Sequence, residues 1–298
     1  METEKIDMKL VVSTLNSLRG QVTSFLGRPH QYPERSTINE QLNIFAGVLP
    51  SAEVTPHAGY MVIGNAGHGV DMSDPALLLP YPIEHRPTDV GAWGPIPFVL
   101  RPVANDLSDV ERERWCGRVL EEHNGERYWA YYIRRRNDQG VRATDWKMAV
   151  RDGIKTIEEF HYTEKELRSK PPVLPDYNMD IVDQIELADG DYVYTNAVIK
   201  VALDEADIKE LQNVAKIKYK DARKAVVSEF IICTGSEQVV TGESFTGPEF
   251  TYSEAVGVQS AVFISTFTNA ALSNKEIGYD VTIGQTTPLP VNTGATRS

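Results

Sequence analysis

The chain is poor in cysteine. Only Cys116 and Cys233 occur among its 298 residues. They lie far apart and in no metal-binding spacing, which argues against a disulfide framework and for a reducing compartment. It also lacks a long hydrophobic run. No stretch approaches the roughly 20 apolar residues of a membrane-spanning helix. The first seven residues are acidic, and the apolar run after them is broken by Ser13, Asn16 and Ser17, which does not fit a secretory signal. Catalytic signatures are missing as well. The histidines His30, His57, His68, His85, His123 and His161 form no HxxxH or HxH pair, and there is no GxSxG elbow, phosphate-binding P-loop or kinase set. The acidic residues are numerous but scattered, so a carboxylate pair formed in space would not be visible here. The expectation is therefore no enzyme, no metal, no nucleotide or other cofactor, no small-molecule substrate and no membrane partner.

What remains is ordinary globular composition. Hydrophobic residues make up 41% and charged residues 24%, enough for a real core in one large domain or two smaller ones. The net charge of −12 argues against a surface devoted to nucleic acid.

The most legible stretch runs from Tyr192 to Gly235 and reads strand, helix, strand. Tyr192 to Leu203 is rich in β-branched and aromatic residues. Asp204 is a helix cap, Asp207 adds charge to the first turn, and Ile208, Leu211 and Ala215 recur at helical spacing. Val226 to Ile232 form the second strand. Ile208, Leu211, Val227, Phe230 and Ile232 are the expected core.

Elsewhere, Leu10, Val11, Leu15, Leu18, Val22, Phe25 and Leu26 form an apolar stripe over residues 6–27, with Gly27 to end the helix. Such a stripe either joins the protein's own core or serves as an arm that docks on a neighbour. Tyr60 to Ile63 reads as a strand, and the glycines that follow it as a turn needing positive φ. The prolines between Pro75 and Pro102 predict extended, irregular chain. Asp106 or Ser108 caps a short helix through Val110 to Arg114, and Glu121 to Glu126 is a hairpin turn. Its second flank, Tyr128 to Ile133, ends in Arg134, Arg135 and Arg136. That pattern suits a packed strand face ending in a basic patch, and it also suits base stacking with phosphate contacts. If these arginines have a partner, an acidic protein surface fits better than nucleic acid. Residues 252–272 suit strand and helix equally, and Tyr279 to Ile283 is a short strand. Lys170 to Pro175 is the stiffest linker. These readings divide the chain into an N-terminal helix and arm (1–53), a β-rich domain with the proline-rich excursion (54–170), and an α/β domain with a tail (171–298).

The fold class is α+β: β-rich domains with an N-terminal helix, and a strand–helix–strand unit in the C-terminal half. Residues 285–298 and part of Pro75 to Pro97 are expected to lie against other chains. Leu289 and Val291 alone, at about 1.5–3 kcal/mol each on burial, cannot offset the roughly 1–2 kcal/mol per residue that ordering a backbone costs.

Four segments, taken together, resemble virion structural proteins of large contractile-tailed bacteriophages. They are Gly59 to His68, Pro97 to Arg101 with Ala104 to Ser108, Tyr128 to Arg134, and Val226 to Gly235. Glu229 to Ile232 is also similar to a segment of baseplate wedge proteins. The resemblance implies a structural subunit of the baseplate or tail, assembled in the host cytoplasm, with other virion proteins and copies of itself as partners. A neck or head-surface position is an alternative, and a soluble enzyme built on scattered carboxylates and histidines is an alternative of another class. The interface residues expected are Arg134, Arg135, Arg136, Leu289 and Val291.

Overall fold

The computed structural model describes residues 9–73, 79–137, 141–160, 190–242, 250–272 and 276–289. In chain order the first elements are β1 (Leu10–Ser13), α1 (Leu15–Phe25), α2 (Ile38–Gln41), β2 (His57–Gly64), β3 (His68–Asp71), β4 (Leu79–Pro82), β5 (Pro95–Ile96) and β6 (Val99–Pro102). Then come α3 (Asp109–Arg112), β7 (Trp115–His123), β8 (Glu126–Arg135), β9 (Thr144–Arg151), β10 (Ile154–Glu159), β11 (Gly190–Leu203), α4 (Glu205–Tyr219), β12 (Val226–Gly242), β13 (Phe250–Asn269) and β14 (Ile277–Leu289). The chain is β-rich, with few helices.

It divides into two compact units: residues 1–137 with 201–279, and residues 138–200 with 280–298. This corrects the expected three-part division, and the reason is strand pairing. β1 pairs antiparallel with β13 from Leu10↔Ser265 to Ser13↔Val262, so the N-terminal segment is an integral strand of the first unit and not a separate arm. The expected boundary at Lys170 to Pro175 lies outside the described residues.

The first unit is built on an eight-stranded sheet in the order β1-β13-β12-β2-β8-β6, with β5 beside β2 and β7 beside β8. β12 is central and buried from Val227 to Cys233, because a strand covered on both faces has no polar side to alternate with. Phe98, Tyr131, Phe230, Phe263 and Met61 fill the core. β7 and β8 are joined by Asn124 and Gly125, both at positive φ (55° and 82°). That is the two-residue turn whose twist matches a hairpin. β3 and β4 form a separate two-stranded ribbon.

The second unit is a four-stranded sheet in the order β10-β9-β11-β14, with Met148, Val150 and Tyr192 as its small core. β9 and β10 pair antiparallel around Asp152 and Gly153, again both at positive φ.

The strand–helix–strand stretch exists as elements, yet its two strands do not share a sheet. β11 pairs with β9 and adjoins β14, whereas β12 pairs with β13 and β2. α4 is capped by Asp204, whose side chain accepts from the amides of Ala206 and Asp207 in a capping box. Ile208, Leu211, Val227, Phe230 and Ile232 are all buried. The expected helix over residues 6–27 is half right. Leu10 to Ser13 is strand, since Val11 and Val12 are β-branched and an open edge of β13 takes them, and the helix starts only after Thr14. Residues 252–269 are strand, which settles that ambiguity. β14 runs on to Leu289, so residues 285–289 belong to an intramolecular sheet and are not a tail laid on another chain. Residues 290–298 lie outside the description.

Candidate interaction surface

Arg134 and Arg135, expected at an interface, point inward. Arg134 donates to the carbonyl of Ala202 at 2.6 Å and stands 3.2 Å from Asp207, with its side chain 16% exposed. Arg114 reaches the same Asp207 at 2.8 Å. Burial opposes the charge on both partners here: it pulls the Arg134 guanidinium down and pushes the Asp207 carboxyl up. Arg135 donates to Glu237 at 2.5 Å and to the carbonyls of Arg112 and Ser253, on the wall of a cleft of about 260 Å³. Arg136 donates to the carbonyl of Ala58 at 3.2 Å. The three arginines therefore tie β8 to its own unit. The backbone of Leu289 ends β14. The Leu289 side chain and all of Val291 lie outside the described residues.

A polar cluster that the sequence hides sits at the centre of the sheet. Glu229 lies on β12 amid Val227, Phe230 and Ile231, with a wholly buried side chain. Its Oε1 accepts from the Trp93 amide at 2.8 Å and faces His85 Nε2 at 2.9 Å. Its Oε2 accepts from the Ala66 amide at 3.0 Å and the Gly94 amide at 3.3 Å. The second ring nitrogen of His85 meets Asp89 at 3.0 Å, and the ring is stacked between Trp93 and Phe263 with centroids 3.9 and 4.0 Å away. Burial alone would raise the Glu229 carboxyl, but the bonds from His85, Trp93 and Ala66 outweigh it and hold it below the usual range.

This carboxylate also explains the glycines after β2. Gly64 and Gly67 are not at positive φ, contrary to expectation. They are glycine because a Cβ on Gly64 would stand 2.3 Å from Glu229 Oε2, and one on Gly67 would stand 2.5 Å from Glu229 Cγ and 2.8 Å from the Ser228 carbonyl. Glu229 is thus a clamp that gathers two loops, β2–β3 and β4–β5, onto one strand. The signal that could have found it is a lone glutamate inside an apolar run.

The apolar stripe of α1 does not join the protein's own core. Leu15, Leu18, Val22, Phe25 and Leu26 are 41%, 51%, 58%, 90% and 60% exposed, and no α1 residue is buried. Its partly covered positions are Asn16, Ser17, Gly20 and Thr23. The helix is inverted: small and polar residues turn toward the protein, apolar residues toward water. It is held there by its N-terminal end. Thr14 is fully buried, donates from Oγ1 to the Ser260 carbonyl at 2.6 Å and accepts from the Ser17 amide at 3.1 Å. The Leu15 amide donates to the Pro87 carbonyl at 2.8 Å. Gly27, at φ 59°, closes the helix as the sequence suggests. Covering each of these side chains contributes up to about 1.5–3 kcal/mol, so an exposed stripe of five is a surface that gains from a partner.

No helix among the described residues is long and apolar enough to cross a membrane. Among known proteins, the whole chain, residues 1–298, matches a family described as a family of unknown function (DUF7208). Neither the curated proteins nor the solved structures give a match.

Proposed function

Since the chain belongs to a family of unknown function, DUF7208, we propose its role from its own surface: it is a structural subunit of a tailed-bacteriophage particle, at the baseplate or elsewhere on the tail, and works by joining neighbouring proteins. The observation that carries this reading is the inverted helix α1, whose apolar residues face water while its N-terminal end is fixed to the body. A protein that works alone gains nothing from that arrangement, and one that is built into a particle does. The resemblance of Gly59 to His68, Tyr128 to Arg134 and Val226 to Gly235 to virion structural proteins points the same way. The polar cluster of buried Glu229 and His85 with half-buried Asp89 fits this role as a rigidifying clamp, since the Glu229 oxygens are occupied by backbone donors.

The test is antibody labelling of purified particles in the electron microscope. Gold on the tail or baseplate supports the proposal. Gradient-purified particles that lack the chain refute it.

A further inference from the structure

We infer that the chain associates with a second copy of itself, α1 of each copy lying on the β3–β4 ribbon of the other. The inference rests on the reading of α1 as an interface and adds what covers it.

The first argument is charge. Residues 8–33 contain Lys9, Arg19 and Arg28 and no aspartate or glutamate, in a chain of net charge −12. That segment carries +3, which leaves −15 for the rest. Among the described residues neither Arg19 nor Arg28 has an ion-pair partner. α1 therefore calls for an apolar surface with acidic neighbours. Pairing α1 with a second α1 would instead bring only cations together.

The second argument is that the same chain offers such a surface. On the ribbon, Val70, Met72, Leu79, Tyr81 and Ile83 are all exposed apolar side chains. The described residues of this stretch, 69–73 and 79–84, carry Asp71 and Glu84 and no lysine or arginine, a charge of −2 against the +3 around α1. Asp71 is fixed opposite Leu79 by the strand register and accepts from the Ser73 amide at 2.8 Å. The Tyr81 ring covers Gly69, where a Cβ would stand 2.4 Å from it, and the side chain is still half exposed.

The third argument is placement. Both α1 and the ribbon rest against β13, yet the apolar faces of both remain open. Two patches flanking one strand can be exchanged by a single two-fold axis, which makes each contact twice. The stripe Leu15, Leu18, Val22 and Phe25, with spacings of 3, 4 and 3 residues, forms one straight ridge along the helix.

Sedimentation velocity of the purified full chain, over about 1 to 100 µM, tests this. The unaltered chain should sediment as a dimer that weakens with salt. Leu18→Asp in α1 and Tyr81→Lys in the ribbon, both at exposed positions, should each weaken the dimer by about tenfold or more with unchanged circular dichroism. An equimolar mixture of the two variants should associate more than either alone, because one of the two reciprocal contacts is then intact. Arg19→Glu should weaken the dimer, and Arg19→Glu with Asp71→Lys should restore it, which keeps the test decisive if Leu18→Asp misfolds. A chain that is monomeric throughout overturns the inference. So does loss of the dimer in the α1 variant with none in the ribbon variant. Neither result bears on particle labelling, so a failure here is separable from a failure of the proposed function.

Discussion

Replacing Glu229 with glutamine changes neither shape nor volume, so its cost isolates the hydrogen bonds of the clamp. Each carboxylate oxygen serves two donors: Trp93 N–H and His85 Nε2 at Oε1, Ala66 N–H and Gly94 N–H at Oε2. An amide keeps one oxygen. Its NH₂ must face one of the two pairs, and stranding a buried donor costs about 1–3 kcal/mol. Two stranded donors give about 2–6 kcal/mol, overlapping the range of about 3–5 kcal/mol found when one partner of a buried pair is removed. The measurement is urea denaturation followed by tryptophan fluorescence, since Trp93, Trp115 and Trp129 lie in the first unit. The expected result is a lower midpoint at unchanged slope. The acid limb carries the same information. The folded Glu229 carboxyl titrates below its ordinary value, so its contribution is fully present above about pH 4.3 and is lost as pH falls through the lower folded value. In the glutamine variant that part of the acid limb should disappear. A cost under about 1 kcal/mol together with an unchanged acid limb would refute the view of Glu229 as a clamp.

Three further expectations follow from neighbouring geometry. Gly67→Ala puts a methyl 2.8 Å from a backbone carbonyl, which cannot swing away, so it should lower stability by about 1–3 kcal/mol in the same urea assay. Glu254→Gln should behave unlike Glu229→Gln. Burial pushes the Glu254 carboxyl up despite bonds from the amides of Gly117 and Ala255, both of which one amide oxygen can still accept, so the change at neutral pH should stay within about 1 kcal/mol. Arg134→Ala removes one of two cations from a buried Asp207 and should cost about 3–5 kcal/mol in thermal or urea unfolding of the isolated chain. A variant that keeps full stability but fails to assemble would return Arg134 to the interface.

The sequence by itself determined what depends on near neighbours along the chain. The Asp204 cap, the buried face of α4, the capped turn at Ser108 and the Asn124–Gly125 hairpin each need only a few consecutive residues, because their bonds close within one turn. Tertiary structure decided the rest. Whether Leu10 to Ser13 is helix or strand depended on an open edge of β13, more than 240 residues away. The strands flanking α4 went to different sheets because pairing partners are chosen by register and burial, which periodicity does not encode. Arg134 to Arg136 read as a basic patch until Asp207, Glu237 and Ala58 came within reach of them. Gly64 and Gly67 read as turn glycines, whereas what requires them is the carboxylate of a residue more than 160 positions on. The α1 stripe shows the limit most plainly. Spacing fixes which residues share a helix face, but only the anchors at Thr14 and Leu15, set by Ser260 and Pro87, decide that this face looks out to water.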